Sequence, residues 1–304
     1  MLRKKLLVIA IVFWSSVFVI NLLRPEKEMK TIDNDILWMH KFLWKNKLDI
    51  VITGDSRTLM GVSPEIITEH LPGLQIGNFG FPSLIYTDEY FAYCEELLKP
   101  DSKSRTVIFG ISPRALITYE VEYCRFKEWS QTSRNIFAMK FIRHSGWLKH
   151  YFDEITMKDI KNYFNPAPPE YLSVNLPSGW TAARMMPENP GYTVKSYRRR
   201  YQELKVDQKR VNLMMKYTGE WREKGINVLG FWMPTGSAIY FIEEKTSGIT
   251  EDYMKNRLEK AGGTWLNIDT TGYHVYDGSH LRYDAAVSFS HSLGRNIKTA
   301  IGVK

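Results

Sequence analysis

Apolar residues follow three rhythms along this chain. The first is an unbroken run: residues 6–23 read LLVIAIVFWSSVFVINLL with no charge. Its 18 residues fall within the roughly 17–25 that a helix needs to cross a bilayer. Arg3, Lys4 and Lys5 precede the run, a placement that keeps the N-terminus on the cytoplasmic side. A cleaved leader has a shorter apolar stretch, roughly 7–15 residues, followed by a small-x-small site. Here the run is longer and closes on Asn21-Leu22-Leu23-Arg24-Pro25. The pattern predicts a cytoplasmic tip and uncleaved transmembrane anchor at 1–24. The protein is then single-pass in the cytoplasmic (inner) membrane, with the rest of the chain outside. Residues 25–47 are polar with scattered Trp38, Phe42 and Trp44, and read as a juxtamembrane connector holding a short helix.

The other two rhythms alternate from residue 49 onward. Short apolar runs at 49–54, 74–78, 106–110, 227–233 and 264–269 read as buried strands. Segments with helical spacing lie between and after them. One opens at Ser63-Pro64-Glu65, with serine as cap and proline in the first turn. A second covers 87–98, where Tyr90, Phe91, Cys94, Leu97 and Leu98 share a face. A third covers 206–224, with Val211, Met214, Met215 and Thr218 inward. The last runs over 283–299, with Ala286, Phe289, Ser290 and Leu293 inward. Strands separated by helices predict an α/β fold with a five-stranded parallel sheet covered on both faces. In such a sheet ligands bind beyond the carboxyl ends of the strands.

The alternation breaks between Pro113 and Glu203. About ninety residues separate the third and fourth strands, where a crossover needs only a dozen or so. The stretch is rich in aromatics and proline, as in residues 163–169, and includes Trp180 and residues 187–192. It reads as a cap insertion at about 113–203, built of short helices and loops.

Composition narrows the picture. The formal charge is +8, concentrated in the N-terminal tip and in Lys195, Arg198, Arg199 and Arg200. That run suits either a solvated helix face or contact with an anionic glycan or lipid. No zinc-finger or aromatic-basic RNA pattern accompanies it, so nucleic acid is not expected as a partner. His-Glu-x-x-His, paired Cys-x-x-Cys, calcium-loop, P-loop and Gly-x-Gly-x-x-Gly patterns are missing, so neither a metal nor a nucleotide cofactor is expected. Cys94 and Cys124 are the two cysteines, too few for a disulfide framework. Cys94 reads as a buried free thiol.

Chemistry-bearing residues gather just after the strands. Gly54-Asp55-Ser56-Arg57 follows the first. A serine on a tight turn there is exposed for attack, and its N–H can face a developing oxyanion; the same tripeptide also makes an ordinary capped turn. Asn78-Phe79-Gly80 follows the second, and Gly80 is either a second N–H donor or a plain turn glycine. Asp277-Gly278-Ser279-His280 follows the fifth. An acid three residues before a loop histidine can hold one imidazole nitrogen and leave the other to take a proton from serine. His274 also lies three residues from Asp277. His291, on the last helix, reads as structural.

In this order the blocks resemble the SGNH/GDSL hydrolase superfamily, over roughly 48–112 and 225–300. The resemblance implies a three-layer α/β/α domain at 48–304, with Ser56 as nucleophile, His280 as general base, Asp277 as its orienting acid and Gly80 as oxyanion donor. Asn78, Ser112 and Arg57 join the oxyanion or substrate-binding set. The family's third block, Gly-x-Asn-Asp, is here Gly110-Ile111-Ser112-Pro113, so Ser112 stands where an asparagine donor is usual. Either Ser112 or another group from the insertion substitutes, or the enzyme is slow on simple esters. Arg57 or Arg114 could serve as a charged donor or hold an anionic substrate, although Arg114 reads first as a solvent-exposed arginine. The anchor and the Gly-Asp-Ser-Arg variant are similar to a cell-surface branch, which includes alginate-type O-acetyltransferases and the teichoic-acid D-alanyl transfer protein. That branch implies a serine esterase or O-acyltransferase acting on a cell-surface polysaccharide, with a multi-spanning acyl-donor protein as possible partner. The alternative is a weak or inactive subunit of a polysaccharide-export or cell-wall complex.

Overall fold

The structure is a computed structural model, and it describes residues 2–22, 34–117, 125–133, 171–203 and 205–302. Five parallel strands form the central sheet in the order β2-β1-β3-β6-β7. They are β1 (Ile50–Gly54), β2 (Ile76–Asn78), β3 (Thr106–Ile111), β6 (Asn227–Trp232) and β7 (Thr264–Trp265). β4 (Tyr171–Asn175) and β5 (Thr181–Met185) pair separately as an antiparallel hairpin.

Alternation along the strands sorts side chains to two faces. Val51, Val107, Phe109, Ile111, Val228 and Trp232 enter one core cluster. Helices α2 (Asn34–Phe42), α5 (Asp88–Leu97), α8 (Gln208–Glu223) and α10 (Glu251–Lys260) supply its other side. Ile50, Ile52, Ile108, Leu229 and Phe231 point the other way. There they meet α4 (Pro64–His70) and α11 (Tyr283–Ile301). The expected three layers are therefore present. The inward faces read from α8 and α11 are buried as expected. Ser63 caps α4 by accepting from the Ile66 N–H.

Several expectations need correction. The fifth strand, expected over 264–269, pairs only through Thr264 and Trp265; by Asp269 the chain has entered a turn in which the carboxylate accepts the Thr271 N–H. Residues 34–47 are not a detached connector. Leu37, Trp38, Met39 and Phe42 of α2 are buried in the core, and Phe42 packs edge-on to Phe79 at 5.8 Å between centroids. Helices α9 (Ser237–Thr246) and α10 escaped the pattern reading. The start of α10 was marked in the sequence: Thr250 accepts the Tyr253 N–H, and Glu251 and Asp252 fill the first turn, where acids favour a helix N-terminus.

Described parts of the insertion comprise a 3₁₀ turn at Pro113–Leu116, α6 (Arg125–Ser133), the β4–β5 hairpin and α7 (Val194–Glu203). The hairpin is an addition to the expected short helices and loops. It is pinned to the domain by Trp180, whose Nε1 donates to the Met60 carbonyl at 2.8 Å. The proline-rich 163–169 stretch and Cys124 lie outside the described residues, while Cys94 is a buried free thiol.

At the N-terminus, α1 (Leu2–Leu22) exposes Val8, Ile9, Val12 and Phe13. Among the described residues no helix is long and apolar enough to cross a membrane, so the span expected at 6–23 stands on the sequence alone.

Trp221 of α8 joins the first face to the sheet. It is fully buried, stacks on Phe109 at 5.9 Å and donates its indole N–H to Glu95 at 3.0 Å. Trp221→Ala is expected to cost about 3–5 kcal/mol, read as a lowered urea midpoint. An unchanged midpoint would show that this face is not tightly packed.

Candidate active site

The strand-to-helix turn after β1 is made by two facing glycines. Gly54 and Gly110 are neighbours at the ends of β1 and β3. A Cβ on Gly54 would lie 2.0 Å from Thr58 Oγ1, and one on Gly110 would lie 2.3 Å from the same atom. Their bareness lets α3 (Ser56–Gly61) start directly on the strand ends. Asp55 caps that helix, accepting the Arg57 N–H at 2.9 Å. Ser56 is thus the first helical residue, where an N–H has no acceptor within the helix.

Loop 276–280 reaches Ser56 from the far side of the sheet order. Asp277 Oδ1 accepts the N–H groups of Ser279 (2.9 Å) and His280 (2.8 Å). Its Oδ2 lies 2.8 Å from His280 Nδ1. Burial pulls the Asp277 pKa up, but the imidazole and the two N–H groups outweigh it and hold the carboxyl below its ordinary value. Asp277 is therefore an anion at neutral pH and accepts Nδ1–H. That leaves His280 Nε2 as acceptor toward the Ser56 hydroxyl, 2.9 Å away. Tyr276 stacks on the imidazole at 6.0 Å. Gly278 turns the loop with φ +93°, and the Pro190 carbonyl occupies the place of its missing Cβ. His274 pairs with Glu188 rather than Asp277. His291 contacts His70 at 3.0 Å, away from this loop.

The other expected site residues sit close by, with different attachments. Asn78 is fully buried and saturated: its Nδ2 donates to the carbonyls of Thr58 and Val62, both at 2.8 Å, and its Oδ1 accepts Gly80 N–H at 2.9 Å. It ties the end of α3 to β2 and occupies the N–H that Gly80 was expected to offer. Ser112 is buried as well, and its hydroxyl donates to Asp55 Oδ2 at 2.5 Å. It braces the cap of α3 instead of facing a substrate.

Arg57 needs the largest correction. It is 1% exposed, and its two terminal nitrogens donate to Glu243 at 2.9 and 2.7 Å. Nε donates to Ser279 Oγ at 3.2 Å. Burial opposes its charge, but the Glu243 carboxylate beside it raises the pKa well above the ordinary value. A guanidinium held this way supports the site from beneath and is not a substrate contact. Tyr197 and Tyr201 of the insertion complete the cluster: Tyr197 OH lies 3.0 Å from Ser279 Oγ, and Tyr201 OH donates to Glu243 at 3.0 Å. Glu243 lies on a helix the pattern reading missed, so this network was invisible in the sequence.

A second cation is buried nearby. Lys41 of α2 is 0% exposed and donates to the Gly80 carbonyl at 2.6 Å. Phe81 and Trp38 flank its Nζ at 5.0 and 5.5 Å. Burial pushes its pKa well below the ordinary lysine value. Among the described residues no group of three or more His, Cys, Asp or Glu is placed to hold a metal ion.

A parallel α/β sheet carrying a Ser–His–Asp relay at its strand ends is thus the class that fold and site define. Comparison with family models, curated proteins and solved structures returns no match.

Two measurements probe this site. Removing one member of a buried ion pair costs about 3–5 kcal/mol, whereas replacing both by apolar residues costs much less. Arg57→Met is therefore expected to destabilise strongly, and adding Glu243→Met to restore much of the loss. Additive losses in urea unfolding would refute the coupling. For Asp277 the folded pKa is depressed, so its stabilisation is present above the unfolded value of about 3.9. It is lost as pH falls through the folded value. The stability gap between wild type and Asp277→Asn should accordingly be open at neutral pH and close on acidification below about 4. A gap that persists unchanged there would contradict the assignment.

Proposed function

We propose that the protein is an extracytoplasmic serine esterase or O-acyltransferase that works through an acyl-Ser56 intermediate on a cell-surface polysaccharide. The observation that supports this reading is the relay from Ser56 through His280 to Asp277, with contacts of 2.9 and 2.8 Å. It matches the geometry by which a hydroxyl is activated for acyl transfer. Ser56 Oγ bonds to the ester carbonyl carbon, its proton passes to His280 Nε2, and the carbonyl electron pair moves onto oxygen. Collapse of that adduct expels the alcohol, which takes the proton from His280. Water or a sugar hydroxyl then repeats the sequence on the acyl-enzyme. Asp277 orients the imidazole and stabilises its charged form throughout. Acetyl is the acyl group that the SGNH resemblance suggests.

Placement follows from the sequence. The uncharged run 6–23 anchors the chain in the cytoplasmic membrane with the N-terminus inside. A multi-spanning acyl-donor protein is the partner that a transferase in this position requires. In the insertion, Tyr197 and Tyr201 face inward. This leaves Lys195, Arg198 and Arg199 exposed as a grip for anionic glycan.

One observation favours a binding or assembly subunit instead: the Gly80 N–H and the Ser112 hydroxyl, both expected as oxyanion donors, already have acceptors. Labelling of the full-length protein with a fluorophosphonate separates the two readings. The catalytic reading expects labelling that disappears in Ser56→Ala and His280→Ala, and ester turnover lowered about 10⁴-fold in Asp277→Asn. A folded wild type that takes no label, even from a smaller acylating reagent, would overturn it in favour of the subunit.

A further inference from the structure

Acyl transfer at Ser56 builds negative charge on the carbonyl oxygen, and donors already aimed at that point lower the barrier most. The sheet order places the relevant crevice. The chain passes from β1 to β2 on one side, then returns to β3 on the other. The strand order thus reverses between β1 and β3, the position where parallel sheets hold their ligands. Ser56 follows β1, and Ser112-Pro113-Arg114 follows β3.

Most donors around this crevice are already committed. Gly80 N–H serves Asn78, Ser112 serves Asp55, and Arg57 serves Glu243 and Ser279. Ser56 N–H, at the start of α3, remains. Arg114 is engaged only in part. Its guanidinium lies over the Tyr197 ring at 5.6 Å, hydrogen-bonds to the Tyr197 hydroxyl and makes a long 3.5 Å contact with Ser83 Oγ. This leaves several of its five N–H donors without a partner among the described residues. Arg57 approaches the same ring at 5.4 Å. Two guanidinium groups thus share Tyr197, and of these two only Arg57 forms a salt bridge to a carboxylate among the described residues. Arg114 is partly buried and makes no salt bridge to a carboxylate among the described residues, although Asp55 attracts its charge from farther off. An incoming anion would relieve the rest of its desolvation cost. Tyr197 also touches Ser279, the neighbour of His280, and Ser112 binds the neighbour of Ser56. Arg114 is therefore attached to both halves of the relay.

We infer that Arg114 donates to the carbonyl oxygen of the acyl group attacked by Ser56, a role that rests on the catalytic reading above. A guanidinium cannot lose its proton at working pH. Its hydrogen bond to an oxyanion is roughly twice as strong as a neutral one. It binds a neutral carbonyl far less well, so the gain falls on the transition state. One charged donor beside Ser56 N–H thereby replaces two neutral donors that the structure has used elsewhere.

The test uses full-length protein, p-nitrophenyl acetate turnover and fluorophosphonate labelling at saturating probe. Arg114→Gln is expected to lower kcat and the maximal labelling rate by about 10²–10³, with KM and the half-saturating probe concentration little changed. Arg114→Lys should keep part of the rate. Millimolar guanidinium should restore part of it to Arg114→Ala, which covers the case in which glutamine disturbs the fold. Unchanged rates in Arg114→Gln would mean that Arg114 only stacks on Tyr197. A rise in KM at constant kcat, or an absence of both lysine retention and guanidinium rescue, would equally overturn the assignment. A wild type that neither labels nor turns over ester removes the catalytic reading itself. An active wild type with an indifferent Arg114→Gln removes only the role of Arg114.

Discussion

A guanidinium and a carboxylate that are each 1% exposed bind the turn that carries Ser56 to distant parts of the chain. Arg57 follows Ser56 in the chain, and Glu243 lies on α9, beyond the fourth strand of the sheet. Neither charge tolerates burial alone, and desolvating both is repaid only when geometry and hydrogen bonding are good. Here they are: two bonds join the pair, and Tyr201 gives Glu243 a third donor. The remaining nitrogen of Arg57 holds Ser279, beside His280. One pair thereby joins the helix that carries the serine, the loop that carries the histidine, and the insertion helix above them. Ser56 and His280 are 224 residues apart in sequence, and their spacing in space is inherited from this pair.

The strand ends impose the complementary constraint from below. Gly54 and Gly110 lack side chains at adjacent positions, and Thr58 fills the space above them, with Oγ1 donating to Gly110 carbonyl at 3.3 Å. Asn78 then joins α3 to β2 through two hydrogen bonds and holds the Gly80 N–H with a third. A side chain with all its bonds made inside the protein is a rigid one. This rigidity places Ser56 on a fixed pedestal, and it withdraws Asn78 and the Gly80 N–H from contact with any substrate. Support and substrate contact compete for the same polar atoms, and at β2 support has taken them.

How much of this was legible in the sequence depended on range. Local signals carried well: the serine cap at Ser63, the apolar runs of β1, β3 and β6, and the inward faces of α8 and α11 are encoded within a few residues. The short Asp277–His280 spacing was legible for the same reason, because one loop brings both groups together. Pairings across the fold were not legible. Nothing near Arg57 announces Glu243, and a Gly-Asp-Ser-Arg turn looks the same whether its arginine faces solvent or a buried acid. The polar look of 34–47 misled because Lys41 counts as polar in any pattern, yet its stem and ammonium are sealed among Trp38, Phe81 and the Gly80 carbonyl.

Burying α2 has a consequence for where the site works. Only residues 23–33 separate α1 from α2, and eleven residues span at most about 40 Å even when fully extended, at roughly 3.3–3.6 Å each. Lys41 fastens α2 to the Gly80 carbonyl, at the β2 side of the crevice that holds Ser56. With residues 6–23 anchored as proposed, the site cannot drift far from the bilayer on a long stalk, because the stalk ends in the core beneath it. An ester delivered at the membrane surface lies within that reach, and a polymer distant from the membrane does not. Under the function and anchoring proposed above, the short tether would favour an acyl group or a glycan that is still close to the membrane.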